Sequence, residues 1–117
     1  MRNILATENV ESTAKEAIDS FHSETVKEVE AAVKANRIVL VGMGQNPIVK
    51  RARKNLDAAG VTYKYLEYGN YLSMWKPRLA VKLWSGWPTF PQVFVDSKLV
   101  GGNKELEEYI KSGKIKS

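Results

Sequence analysis

Apolar residues recur along this chain at two spacings, and each spacing predicts one type of secondary structure. Side chains three or four positions apart lie on one face of a helix, whereas short β-branched runs are typical of buried strands. The predicted helices cover residues 9–20, 23–35, 46–59, 70–84 and 103–112. The predicted strands cover residues 37–42, 61–67, 92–95 and 98–100.

Polar residues and prolines mark where several of these helices begin. Asn46 is a favoured N-cap and Pro47 suits the first helical position, so a helix is predicted to begin there. Asn103 is predicted to cap the last helix in the same way. Pro77 must either kink the helix of residues 70–84 or mark its true start.

The order of the elements predicts a single α/β domain. Helices between the first strands call for parallel crossovers, and the last two strands form an antiparallel hairpin. We find no internal repeat, low-complexity tract or linker, and 117 residues are enough for one core. We therefore expect a domain at residues 23–117, with a four-stranded mixed sheet flanked by helices, and an N-terminal helical extension at residues 1–22.

The absence of cysteine from the composition excludes several classes of protein chemistry. Without cysteine the chain forms no disulfide scaffold, no cysteine-ligated metal site and no thiolate nucleophile. His22 is the single histidine, which disfavours histidine-based metal sites and paired-histidine catalysis. We therefore predict no metal site.

Net charge and hydropathy indicate which kinds of partner the protein binds and in which compartment it resides. The net charge is +5, with −3 in residues 1–35 and +8 in residues 36–117. This excess favours anionic partners for the basic part, although a solvated basic surface explains it equally simply. The longest apolar run, residues 38–43, is too short to cross a bilayer, and the amino terminus shows no targeting pattern. We expect a cytoplasmic protein with no membrane partner.

The most specific motif is WPTFPQVFV at residues 87–95, followed by the pair Gly101-Gly102. The motif and its spacing resemble the glutaredoxins, and the monothiol class in particular, over residues 23–113. The resemblance implies the glutaredoxin form of the thioredoxin fold. In that family the second proline of the motif follows a cis peptide bond, and the groove beside it holds glutathione, an anionic tripeptide.

By residue-to-residue correspondence, the resemblance implies a glutathione-binding set. Its members are Arg78, Lys82, Thr89, Phe90, Pro91, Gly101, Gly102 and Asn103. The Phe90 main chain would pair with an extended peptide, and the glycines would let a ligand approach the backbone. Arg78 matches a family contact to the ligand carboxylate. Two plain alternatives remain: Arg78 and Lys82 are solvated surface residues, and the glycines serve close helix–sheet packing.

The family's redox positions are occupied here by residues without sulfur. Its Cys-Pro-Tyr-Cys or Cys-Gly-Phe-Ser centre matches the segment from Asn46 to Val49, so the chain lacks a thiol couple. We expect no thiol–disulfide oxidoreductase activity, no catalytic residue of that kind and no iron–sulfur cluster, which would need a protein thiolate. Lys104 stands where the family has an aspartate that anchors the ligand's amino group.

Three functions follow, of which we favour the first. It is a non-catalytic binding module for glutathione or a related anionic peptide. The second is a protein–protein interaction module that uses the basic helix at residues 50–54 and the Trp-rich surface at residues 68–87. The third is thiol-independent transfer of glutathione to an electrophile, for which Asn46 or Gln45 offers at most one hydrogen bond. A nucleic-acid partner is disfavoured because aromatics do not interleave the basic cluster.

Overall fold

A computed structural model describes residues 11–115 of the chain and contains five helices and four strands in that range. The helices are α1 Ser12–Ser20, α2 Ser23–Ala35, α3 Pro47–Ala58, α4 Trp75–Ser85 and α5 Asn103–Lys111. The strands are β1 Ile38–Gly42, β2 Lys64–Glu67, β3 Gln92–Val95 and β4 Lys98–Gly101. The predicted start of the first helix, at Asn9, lies outside the described residues.

The strands form one mixed sheet in the order β2-β1-β3-β4. β1 pairs parallel with β2 through the α3 crossover, as predicted for strands separated by a helix. β3 lies on the other side of β1 and runs antiparallel to it, although α4 also separates β2 from β3. β3 and β4 form the predicted antiparallel hairpin. The four-stranded mixed sheet with an additional N-terminal helix is therefore confirmed.

The core forms where β1 is covered on both sides. All five residues of β1 are buried, which agrees with its continuous apolar sequence. Helix α2 contacts α4, and α3 contacts α5, so two pairs of helices enclose the sheet. Each of these helices places a fully buried side chain in the core: Val29 in α2, Leu56 in α3, Val81 in α4 and Leu106 in α5. This core fixes the helix starts that surround the candidate site.

Tyr68 connects the end of β2 to α2. It is buried, and its hydroxyl donates a hydrogen bond to the Glu28 carboxylate. Burial, followed by this hydrogen bond to an anion, raises the pKa of Tyr68 above its ordinary value. The contact holds the loop after β2 against the body of the domain.

Two strand and helix boundaries differ from the sequence prediction. β2 begins at Lys64, three residues later than predicted. The N–H of Val61 instead donates to the Leu56 carbonyl and closes the end of α3. Helix α4 begins at Trp75, so Pro77 lies in its first turn and marks the start of the helix. The preceding residues form a turn in which the Asn70 side chain accepts from the N–H of Leu72.

Helix α5 begins one position earlier than its predicted cap implies. Gly102 is the N-cap, and Asn103 is the first helical residue. The prediction that Asn103 caps α5 is therefore wrong, because its buried side chain is committed elsewhere in the domain. None of the helices in residues 11–115 has the length and apolar character needed to span a membrane.

Candidate functional site at three element starts

A groove of about 620 Å³ opens where α3, β3 and α5 begin. Its walls are formed by Met43, Asn46, Ile48, Arg51, Lys82, Trp87, Thr89, Phe90, Pro91, Gly102, Asn103, Lys104, Glu105 and Glu107. Of the residues singled out from the sequence, the groove brings together Asn46, Lys82, Thr89, Phe90, Pro91, Gly102 and Asn103. It does not include Val49, Arg78 or Gly101.

The start of α3 forms one wall, and the side chain of Asn46 caps this end of the helix. The Asn46 Oδ1 accepts from the N–H groups of Ile48 at 2.9 Å and Val49 at 3.1 Å. Two of the donors that a helix start leaves unpaired are thereby satisfied. Val49 is buried, and the Cβ that an alanine would carry at Gly42 would lie 2.6 Å from its Cγ1. Of the two redox positions, only Asn46 faces the groove.

The segment before β3 forms the second wall. The Phe90–Pro91 peptide bond is cis. Within residues 11–115, the N–H and C=O of Phe90 take part in no hydrogen bond. The Phe90 ring is buried, and the Lys82 Nζ lies 5.6 Å from its centroid. This wall therefore presents a free main-chain donor and acceptor beside a cation.

The start of α5 forms the third wall. Its N-cap, Gly102, has no side chain, and the Gly102 N–H donates to Glu105 Oε1 at 2.9 Å. The next two N–H groups, of Asn103 and Lys104, have no acceptor within the helix by its geometry. These groups and the helix dipole favour an anion at this end. Glu105 already occupies one of the available donors.

The two glycines have different roles. A Cβ at Gly101 would lie 2.8 Å from Glu105 Cγ, and its φ of +129° strongly favours glycine. Gly101 thus allows β4 and α5 to approach closely, and its contact with a ligand stays a prediction. A Cβ at Gly102 would meet no atom closer than 3.5 Å, and Gly102 lines the groove. Its small size leaves room in the groove itself.

Asn103 lines the groove, and its side chain joins two helices. Its Oδ1 accepts from Asn55 Nδ2 of α3 at 2.9 Å, and its Nδ2 donates to Glu107 Oε1 at 2.8 Å. Sequence reasoning missed this network, because Asn55 and Asn103 are 48 positions apart.

Arg78 lies outside the groove and is not a solvated surface residue either. It is 7% exposed, and its Nη1 donates to the carbonyls of Tyr68 at 3.0 Å and Ser73 at 2.5 Å. The alternative that Arg78 is a solvated surface residue is therefore wrong, whereas its contact with a ligand carboxylate stays a prediction. A buried guanidinium on main-chain carbonyls holds the loop before α4 in shape.

The charges in the groove are mixed. Arg51, Lys82 and Lys104 supply cations, and Glu105 and Glu107 supply anions. The sequence analysis identified the cation at position 104 but not the two glutamates. The spacing of Gly102 and Glu105 is that of a capping box, which is the signal that would have placed Glu105 at the helix start. The groove therefore presents charges of both signs, which complement carboxylate and ammonium groups.

Comparison with known proteins gives concordant matches. The family model named Glutaredoxin matches residues 47–100. A glutaredoxin-like protein of Dictyostelium discoideum is 48% identical over 106 residues, which cover 87% of this chain and 83% of that protein. Monothiol glutaredoxin-4 of Schizosaccharomyces pombe is 27% identical over 117 residues, which cover 97% of this chain but only 47% of that relative. The chain thus spans about half the length of the latter.

A structural comparison agrees with the fold. The crystal structure of a buckwheat glutaredoxin–glutathione complex has a TM-score of 0.69 and 22% sequence identity to this chain. The match covers 82% of this chain and 87% of that one. The thioredoxin-like, glutaredoxin-type fold expected from the motif is confirmed.

Proposed function

We propose that this chain, which belongs to the glutaredoxin family, is a non-catalytic binding module whose groove holds glutathione or a related anionic peptide. The observation that carries the proposal is the unpaired main chain of Phe90 in the groove wall. An extended peptide binds such a segment through main-chain hydrogen bonds, in the manner of an added strand.

The charges of the groove suit a peptide that carries both carboxylate and ammonium groups. Lys82 and Arg51 attract carboxylates, and the first turn of α5 offers main-chain donors to the same kind of group. Glu105 and Glu107 lie in the same groove and offer acceptors to an ammonium. They compensate for Lys104, which stands where the family has an aspartate. Glutathione carries two carboxylates and one ammonium.

The chemistry of the α3 start supports binding without turnover. Thiol–disulfide exchange needs an attacking thiolate, and this chain contains no cysteine. Asn46 has no comparable nucleophile, and its Oδ1 is engaged by two N–H groups of its own helix. A thiol on the ligand would therefore meet an amide and stay unchanged. The transfer of glutathione to an electrophile also finds little support, because Asn46 has only its amide N–H groups to offer a thiolate.

Titration with reduced glutathione tests the proposal directly. We expect saturable amide shifts of the ¹⁵N-labelled protein at Phe90, Gly102 and Asn103, with a dissociation constant of about 1 mM or below. Lys82→Ala should weaken binding by roughly three- to ten-fold, since it removes a cation from the groove wall. Lys76→Ala is the matched control, because it removes an equal charge from an exposed position of the same helix. Its dissociation constant should match that of the wild type.

Two outcomes would contradict the proposal. An absence of shifts up to about 10 mM glutathione would mean that the groove retains the family shape without the ligand. Equal weakening by Lys82→Ala and Lys76→Ala would mean that net charge, and not the groove, attracts glutathione. Either result would favour the second function, a protein–protein interaction module.

The second function has its own structural support. Helix α3 exposes Lys50, Arg51 and Lys54 to solvent, as a basic contact surface requires. The tryptophans do not form one surface, however. Trp84 packs beside Phe94, with ring centroids 5.7 Å apart, whereas Trp75 is exposed. A partner of the basic helix would shift amides of α3 and leave the Phe90 main chain free.

A further inference from the structure

The side-chain amide of Asn46 is divided between its own helix and the groove. Its Oδ1 accepts from the N–H groups of Ile48 and Val49, so the oxygen is turned toward α3. Asn46 also lines the groove, and its Nδ2 makes no hydrogen bond in the part of the chain that the structure describes. An amide nitrogen donates hydrogen bonds and accepts none. Asn46 therefore offers the groove a donor and no free acceptor.

The main chain in the first turn of α3 has no donor left for a ligand. Pro47 lacks an N–H, and the next two N–H groups donate to Asn46 Oδ1. The N–H of Lys50 donates to the Asn46 carbonyl at 3.1 Å. One side chain, and not the free N–H groups of a helix end, thus sets the hydrogen-bonding character of this wall.

Two cations face the same groove. Arg51 of α3 and Lys82 of α4 line it, and the Lys82 Nζ lies 5.6 Å from the centroid of the Phe90 ring. The two glutamates of the groove belong to α5, and each already accepts a hydrogen bond from a residue at the start of that helix. The α3 wall and the wall before β3 therefore combine positive charge with the Asn46 donor.

We propose that the groove prefers a glutathione-like peptide whose sulfur carries anionic oxygen atoms, as a sulfinate or a sulfonate. The inference rests on the proposed function. Asn46 occupies the position of the family's attacking cysteine, and attack requires the two sulfur atoms to meet. A peptide bound as proposed therefore brings its sulfur to Asn46.

The chemistry of the ligand's sulfur decides how well it suits this wall. A thiol is a weak donor and a weak acceptor, so it gains little from the Asn46 N–H groups. Sulfinates and sulfonates, the higher oxidation states of a thiol, present charged acceptor oxygens. Hydrogen bonds to a charged acceptor are roughly twice as strong as those between neutral groups. Asn46 thus determines specificity at the position where the family's cysteine reacts.

Titration of the full chain with two ligands tests the preference. We follow the amide shifts of the ¹⁵N-labelled protein and expect glutathione sulfonate to bind about five- to ten-fold more tightly than reduced glutathione. S-methylglutathione carries neither the thiol proton nor an anionic oxygen. It should bind no more tightly than reduced glutathione.

Asn46→Asp separates the amide donor from the helix cap. Aspartate caps a helix as well as asparagine does, so the Oδ1 contacts to α3 remain. The variant replaces the Nδ2 donor with an anionic oxygen, so the affinity for glutathione sulfonate should fall at least about ten-fold and its preference should be lost. The affinity for reduced glutathione should fall much less.

Asn70→Asp is the matched control, because it makes the same chemical change outside the lining of the groove. The Asn70 Oδ1 also accepts from a main-chain N–H, that of Leu72 at 2.8 Å, and aspartate can keep this contact. The preference of this variant for glutathione sulfonate should stay within about two-fold of the wild type, since exposed charges at a distance are screened.

Two results would overturn the inference and leave the proposed function intact. The first is saturable binding of reduced glutathione with equal or weaker binding of glutathione sulfonate. The second is an equal loss of preference in Asn46→Asp and Asn70→Asp, because net charge would then explain it. Binding of neither ligand up to about 10 mM would overturn the inference and the proposed function together.

Discussion

Replacing Arg78 with alanine should lower the free energy of unfolding by roughly 2–3 kcal/mol. The Arg78 guanidinium is buried and donates to the carbonyls of Tyr68 and Ser73, so its removal leaves both acceptors without their charged partner. The loss of the buried aliphatic stem adds to the effect. The measurement is the urea midpoint of unfolding at constant slope. Glutathione affinity, measured well below that midpoint, should change little, since Arg78 does not line the groove.

Lys76→Ala serves as the control for Arg78→Ala, because it removes the same charge from an exposed position two residues earlier. Its free energy of unfolding should stay within about 0.5 kcal/mol of the wild type. The opposite pattern, an unchanged midpoint with several-fold weaker glutathione binding for Arg78→Ala, would restore Arg78 to the ligand site. That pattern would show that the loop after β2 takes another shape in the bound protein.

The Asn46→Cys variant should carry a thiol whose pKa lies clearly below the ordinary value of about 8.5. The new sulfur would stand at the N-cap of α3, where main-chain N–H groups and the helix dipole stabilise a thiolate. Arg51 and Lys82 in the groove act in the same direction. The pH dependence of iodoacetamide alkylation measures this pKa, since only the thiolate reacts. The loss of the asparagine cap should cost about 1 kcal/mol of stability.

Ser112→Cys is the matched control for Asn46→Cys, because Ser112 is the exposed C-cap of α5. The dipole at that end opposes a negative charge, so the pKa of this thiol should be ordinary or raised. Equal pKa values for the two thiols would show that Asn46 is not the active-site analogue. A lower pKa only at position 46 would show that the site's electrostatics survive without its nucleophile.

The fold could be predicted from the sequence because its signals are local or lie in one motif. The Val26, Val29 and Val33 spacing predicted α2 with its observed bounds, and Asn46-Pro47 predicted the start of α3. The largest error in a helix or strand boundary was the start of α4, because the apolar spacing continues through the turn before that helix. The Asn70 side chain and a left-handed Met74 end that pattern before Trp75. Apolar spacing does not report such turns.

The candidate site was predicted less completely than the fold, for a physical reason. Residue correspondence placed Thr89, Phe90 and Gly102 at the groove, because they belong to the specific motif or the glycine pair. It also placed Arg78 there, although the carbonyls that bind Arg78 come from a loop whose shape the sequence does not display. Glu107 was missed because its position depends on the packing of α5 against α3. Which side chains meet across a core depends on residues that lie far apart in the sequence.

The amide bridge between Asn55 and Asn103 has a consequence for how the groove recognises a ligand. It joins α3 to the first residue of α5 and so ties two of the three walls together. Glu107 extends the same chain of hydrogen bonds to the groove surface. A groove assembled before its ligand arrives loses little conformational entropy on binding. The entropy cost of binding is then mainly that of ordering the flexible peptide. Preorganisation of this kind favours ligands whose length and charge spacing already match, and it discriminates against those that would need the walls to part.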